Sequence, residues 1–590
     1  MHGRHGRKAK QGRATNTDAD WVHYLPHVNQ TGNSDGTTGS SRSISNGQWL
    51  SRRALAQAVR QLNIVGPVSR VLAVSQMPED AISCFDFFRF RVGVLVSTRG
   101  SGTVDSNRGF WDRTLLQTAH AEPAVWNAVA ALGALHRKWE VSSCTQAAPL
   151  PNDHGDDNGG VVMDLDTVSV KLAQQAGSCY TKALSLASSI SDSGYMLVLS
   201  IALAVAASLA GKWSDNQVHI RAGQSLVSQI IVQNKGKPLT ELEINDAAEC
   251  LSKLSLQWAS FSEERAPYPY ADGLSTELAA VKEDREITTI TQSLTVLLDI
   301  NRRLLAKAGM SYSQQTDSSD TDMIKEEDPI LRDFVRWGQQ TMQVLPTTSK
   351  DDQLAYRTLL VLKLYHTVLH LLIHVGIARA DYNELSWDDY LGHFERSITL
   401  SALIIKTESQ KNPLAPSVVS LDEPGIIIPL WLTLSRCRHP FIRRRALGLL
   451  RSAKRQEGMW MSTSSAAVAE RMIAIEEEGS PDISIPISVP TLCSTELCTT
   501  FELELAQLIE AEDHEPQSWV LGGDGFGLAR TNWEVPGMVF VPLNKRITEV
   551  SVTCEPYNPK SMGSRADVTM LFAEGGMAGE LRKQRISVNF

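Results

Sequence analysis

Three histidines at four-residue intervals, His366, His370 and His374, stand in the run Tyr365-His-Thr-Val-Leu-His-Leu-Leu-Ile-His374. On a helix they share one face, and an i, i+4 pair of imidazoles can hold a zinc ion. The outer two would lie about 12 Å apart at 1.5 Å rise per residue, so one metal cannot engage all three. With Lys363 they read as the polar stripe of an otherwise apolar helix. His120-Ala-Glu122-Pro123 opens like a zinc deaminase motif, yet the Pro-Cys-x-x-Cys that would complete it is absent. Of eight cysteines the first is Cys84 and none forms a Cys-x-x-Cys; Cys493 and Cys498 come nearest, too few for a four-ligand site. The Gly522–Gly527 run follows neither phosphate-loop nor dinucleotide spacing, and neither a Gly-x-Ser-x-Gly elbow nor a convincing carboxylate pair occurs. No catalytic set, metal site or cofactor is expected, and the chain does not read as an enzyme.

Charge is the other chemistry on offer. Arg443, Arg444, Arg445, Arg451, Lys454 and Arg455 make one predicted helix strongly basic, able to meet phosphates or an acidic partner; the alternative is a solvated face. Interleaved aromatics of the kind that stack single-stranded bases are missing. The net charge of −9 argues against a surface that attracts nucleic acid everywhere, so any such contact must be local. Residues 1–60 hold nine basic and three acidic residues, with Arg4, Arg7, Lys8, Lys10 and Arg13 gathered at the start. This reads as a disordered basic tail with a candidate nuclear-import tract.

The elements that must position these groups are helical. Trp111, Leu115 and Ala119 repeat at four-residue spacing, Glu122-Pro123 interrupts, and Val125, Ala128, Val129, Leu132, Leu135 and Trp139 mark the inner face of a second helix. Pro123 suits its first position, and Gly133 would let the two helices of this hairpin approach closely. Leu172, Ala176, Tyr180, Leu184 and Ala187 restart the period after an acidic loop at 145–166. The apolar segment 195–211 is shorter than the ~20 residues that cross a bilayer and predicts a helix buried on all sides, with no membrane contact. An acidic linker at 311–328 divides the chain, and helices resume at Pro329, 354–378, 387–408 and 440–478, one ending at Gln456-Glu-Gly458. Beyond 480, runs at 483–489, 547–554, 567–572 and 586–590 have strand character, the last three as one small antiparallel sheet. The predicted fold class is mainly α: an irregular multi-helix domain with a small β-rich C-terminal region and a disordered N-terminal tail. Its divisions are the tail at 1–60, helical regions at 61–310 and 329–480, the linker between them, and the β-rich region at 481–590.

Two stretches carry a resemblance. Cys84-Phe-Asp-Phe-Phe-Arg-Phe-Arg91 leads into Gly109-Phe-Trp-Asp-Arg-Thr-Leu-Leu-Gln-Thr-Ala-His-Ala-Glu-Pro-Ala-Val125, ending Ala-Leu-Gly-Ala-Leu-His136. Further on come Arg444-Arg-Ala-Leu-Gly-Leu-Leu-Arg451, Glu457-Gly-Met-Trp460 and Val468-Ala-Glu-Arg-Met-Ile-Ala-Ile-Glu-Glu477. This pattern closely resembles the regulatory region of fungal zinc-cluster transcription factors over most of residues 84–590. The six-cysteine module of that family is not found in this sequence. The resemblance implies a nuclear regulator of a metabolic or secondary-metabolite gene set. It would act through a DNA-binding partner or as a homodimer and contact the transcription machinery, with direct DNA contact left open. A zinc cluster on a longer transcript is one alternative; a non-DNA-binding scaffold or small-molecule binder is another.

Overall fold

Pro123 fixes the first turn of the helix on which the N-terminal half of the fold is built. In the computed structural model the described residues are 77–92, 109–145, 165–233, 239–260, 287–314, 329–345, 352–377, 384–411, 418–478, 506–510, 541–558, 563–572 and 582–589. All of them lie in the second of two units, residues 74–590.

The chain enters through α1 (Glu79–Phe87), which continues as a π turn to Val92. A second π turn, Phe110–Thr114, leads into α2 (Leu115–Ala121), and Glu122 then adopts extended backbone before α3 (Pro123–Thr145) begins. The sequence predicts one inner face for α3, but it is buried almost all round from Ala124 to His136 because α1, α4 (Leu165–Ala187) and α5 (Ser193–Leu209) also surround it. Gly133 serves α1 rather than the hairpin: a Cβ there would sit 1.9 Å from the Cys84 carbonyl oxygen. On α4 the inner face is Leu172, Ala176, Cys179, Tyr180 and Ala183, and Leu184, expected inside, is 42% exposed. The apolar α5 is buried from Leu197 to Ser208 as expected, and Asp192 caps it by accepting hydrogen bonds from the amides of Gly194 and Tyr195 at 2.7 and 3.1 Å.

Next come α6 (Trp213–Gln233), α7 (Glu241–Ala259), α8 (Ile290–Gln314), α9 (Pro329–Val344), α10 (Gln353–Val375) and α11 (Leu391–Lys411). The expected linker therefore loses its first residues, 311–314, to α8; the rest of it lies outside the described residues. Within α10, Ala355–Val375 is apolar and long enough to cross a membrane, yet 89% of its most apolar window is buried inside the protein, as befits a core helix.

A helix that periodicity does not predict, α12 (Ile427–Arg436), precedes α13 (Pro440–Ala453), and α14 (Ser462–Glu477) packs against both. The end of α13 also differs from expectation. Lys454 takes the left-handed conformation at φ 39°, and Arg455–Glu457 is a strand rather than a helix end. That strand, β2, lies parallel to β1 (Val418–Ser420) and antiparallel to β3 (Trp460–Met461), with Gly458 at φ +57° in the turn. The C-terminal sheet is antiparallel in the order β4 (Ile547–Asn558), β5 (Gly563–Phe572), β6 (Arg582–Asn589), as the alternation predicts. Val568, Met570 and Phe572 press one face of it onto Val468 and Met472 of α14. The mainly α architecture with a small β-rich C-terminal part is thus the observed one; the 483–489 run lies outside the described residues.

Candidate functional site

The basic helix turns inward. Pro440 at the first position and the His439 imidazole, accepting from the Ile442 amide, start α13 so that Arg443 and Arg444 face α14. Arg443 is fully buried and pairs with Glu476 at 2.6 Å, while Arg444 grips both oxygens of Glu477 at 2.6 and 3.2 Å. Arg451 meets Glu470 at 2.5 Å, and Arg455 reaches Glu408 and Glu457 at 2.8 and 2.6 Å. Both sequence readings of this helix, phosphate contact and solvated face, are corrected for Arg443, Arg444 and Arg455. A charge so deeply buried must be matched by a fixed carboxylate, and here it is.

Glu476 is the node of this network. Its carboxylate also takes Arg438 at 3.1 Å and the Ile547 amide at 2.7 Å, which ties α14 to the first residue of β4. Burial alone would push its pKa up, but the Arg438 and Arg443 guanidiniums outweigh that and hold it below the ordinary range. Arg438 spans to Glu384 at 3.0 Å and donates to the Ile547 carbonyl at 3.1 Å. Arg546 clamps Asp388 through two hydrogen bonds of 3.0 and 2.5 Å. The C-terminal sheet is therefore fastened by buried charge as well as by apolar contact.

His366 and His370 of the stripe are buried, and a further histidine that spacing did not reveal joins them. His370 Nδ1 shares a hydrogen bond of 2.9 Å with His393 Nε2 from α11, and the His370 and His374 rings stack at 3.8 Å. Burial first, then neighbouring His374, lowers His370 to about 3 and His393 to about 4, so both stay neutral near pH 7. Among the described residues no group of three or more His, Cys, Asp or Glu is disposed to hold a metal.

A third cluster joins the two halves of the chain. Trp111 Nε1 donates to Asp422 Oδ1 at 2.9 Å, and Gln257 donates through Nε2 to the Asp422 carbonyl at 3.0 Å. The Gln257 carbonyl in turn accepts from Trp460 Nε1 at 3.1 Å. Lys253 stands beside Glu249 and Asp422 at 3.0 and 4.0 Å. Burial would lower its pKa, but those carboxylates raise it above the ordinary value, so it stays charged. The adjoining cleft between Lys253, Thr295, Arg357 and Glu423 offers about 30 Å³, room for a water or two but not for a metabolite.

The Phe110-Trp111 turn and the Glu122-Pro123 break thus form the entry to a helical array locked onto the second half. Residues 100–259 match the family model of the fungal specific transcription factor domain. The match spans 160 of the 590 residues. The matched family is one of transcription factors, and at that level the match supports a regulatory role in transcription. No curated protein and no solved structure gives a significant match to the chain. Within the matched segment, His120 is half-buried at the break between α2 and α3 and set edge-on to Phe85 at 5.8 Å. Burial lowers its pKa, with Arg89 adding to the effect.

The candidate tract Arg4, Arg7, Lys8, Lys10 and Arg13 lies outside the described residues, as do Cys493, Cys498 and Gly522–Gly527. Sequence reasoning missed Glu384, Asp422, Arg438, Glu476 and Arg546. The one signal available was the Glu476-Glu477 pair, whose charge complements Arg443-Arg444.

Proposed function

We propose that this protein is a nuclear transcriptional regulator of a filamentous fungus, controlling a metabolic or secondary-metabolite gene set. The fungal specific transcription factor domain over 100–259 carries this reading. DNA contact comes from a DNA-binding partner or from a zinc cluster supplied on a longer product; α13 does not provide it. The inward pairing of Arg443, Arg444 and Arg455 supports that assignment, because groups spent on Glu476, Glu477 and Glu408 are withheld from phosphates. The helical region then serves as the responsive and partner-binding part, and the Arg4–Arg13 tract as the import signal.

Chromatin occupancy of the tagged protein expressed from its own locus tests this without presuming direct contact. Discrete promoter peaks are expected, with a partner's motif beneath them. A flat profile alongside good expression under inducing conditions would move the protein to the scaffold reading.

A further inference from the structure

Helix α9 carries two apolar stripes, and only one is used. Ile330, Trp337, Thr341 and Val344 face inward, where Trp337 Nε1 donates to the Ser293 carbonyl at 2.8 Å and Thr341 shares a 2.6 Å hydrogen bond with Ser293. Phe334 and Trp337 stack on His366 of α10 at 5.3 and 5.5 Å, and Asp333 pairs with Arg303 at 2.8 Å. The helix is therefore anchored along its length.

The second stripe points to solvent. Leu331, Val335 and Met342 are 45%, 52% and 46% exposed, and at 100° per residue they fall within about 40° of one another on the helix surface. Burying such side chains is favourable, and leaving three aligned on a rigid helix forgoes that. Along one edge run Arg332 and Arg336, both exposed, with Gln339 and Gln343 continuing the row. Among the described residues neither Arg332 nor Arg336 has an ion pair, whereas Arg443 and Arg444 of α13 are spent on buried carboxylates.

We propose that this face of α9 is a docking surface for an acidic amphipathic segment of a partner protein. The partner would seat apolar anchors at i, i+4 spacing against Leu331, Val335 and Met342 and set its carboxylates on Arg332 and Arg336. The charge argument selects this occupant, since an apolar stripe bordered by unspent guanidiniums rejects a basic helix and rewards an acidic one. The proposal stands independently of the transcriptional reading.

The test is fluorescence anisotropy with the full chain and two synthetic amphipathic helices. Both carry leucine anchors at i, i+4, i+7, flanked by glutamate in one and by lysine in the other. The acidic probe is expected to bind at least tenfold more tightly than the basic one. Val335→Ser with Met342→Ser should weaken it tenfold or more, and Arg332→Glu with Arg336→Glu should reverse the preference between probes. These positions are exposed, so an unchanged thermal unfolding curve will certify the fold of each variant. Equal binding of the two probes, or full binding by the Ser variant, would overturn the proposal. So would self-association of the full chain that the Ser variant abolishes while neither probe binds, since the occupant would then be a second copy. Residues 317–328 are themselves acidic. Binding that appears only after their carboxylates are neutralised by Asp→Asn and Glu→Gln changes would assign the surface to that segment and overturn the partner assignment.

Discussion

Trp111 and Asp422 are joined by a 2.9 Å buried hydrogen bond across 311 residues of sequence, which fastens the turn that leads into α2 to the loop that follows β1. Trp111→Phe keeps the ring and removes the donor, leaving a buried carboxylate oxygen short of a partner. A loss of about 1–3 kcal/mol is expected, measured by urea unfolding.

Glu476 neutralises two fully buried guanidiniums and accepts from the first amide of β4. Glu476→Gln leaves Arg443 buried without its counter-charge and Arg438 with Glu384 alone, a cost of about 3–5 kcal/mol. The first consequence should be release of the C-terminal sheet, seen as faster amide exchange in 547–572 than in α3. Because the folded pKa is depressed, the wild-type contribution is present above pH 4.5, the ordinary glutamate value, and is lost as pH falls through the folded value. The variant should show no such acid transition from this group.

His370 and His393 are held neutral, at about 3 and about 4 against an ordinary 6.5. The unfolded chain binds more protons between those limits, so stability falls as pH drops below 6.5. His393→Gln removes one of the groups that must charge on unfolding. It should reduce the loss between pH 7 and pH 5 by about 1–2 kcal/mol, read from thermal midpoints at the two values.

Asp246 behaves in the opposite sense. Burial, reinforced by Glu249 and Glu243 against Arg113 and Lys253, lifts it from 3.8 to about 6. The folded chain then holds the extra proton, so stability declines as pH rises from 3.8 to about 6 and stays lower beyond. Asp246→Asn should flatten that decline and gain about 1 kcal/mol at pH 7, after allowance for solvent screening of a partly exposed group. A pH series of urea unfolding curves measures both effects.

Two glycines make a matched pair. Gly133→Ala would drive a methyl to 1.9 Å from the Cys84 carbonyl oxygen and should cost about 3 kcal/mol by forcing α1 away from α3. Gly448, inside α13, has nothing within 4 Å of a built Cβ, so Gly448→Ala should stabilise by about 0.5–1 kcal/mol. Thermal unfolding of the two variants side by side tests the contrast.

Much of the helical framework was legible. Pro123, Pro329 and Pro440 sit at the first positions of α3, α9 and α13, and the apolar periods follow them. The alternating strands at the C-terminus were equally plain, since period-two patterning survives in isolation. What escaped was decided between elements. Periodicity turns an arginine outward, and nothing local says that Glu476, on the next helix, will draw Arg443 inside. Helix α12 escaped because it is short and opens with the uninterrupted apolar run Ile426-Ile-Ile-Pro-Leu-Trp, with Pro429 in its first turn, a pattern that reads as easily as a buried strand. His393 was hidden for the same reason, as its partner His370 is 23 residues away.

The start of α12 has a cap from elsewhere. The Glu457 carboxylate accepts from the amides of Gly425, Ile426 and Ile427 at 3.1, 2.9 and 3.0 Å. Gly425 leaves room for it, since a Cβ there would fall 2.1 Å from the same carboxylate. The residue that completes this helix terminus is made roughly thirty positions after the helix begins. On the ribosome α12 must therefore emerge with its first amides open to water. It reaches its final form only when α13 has been synthesised and has brought Glu457 back to it.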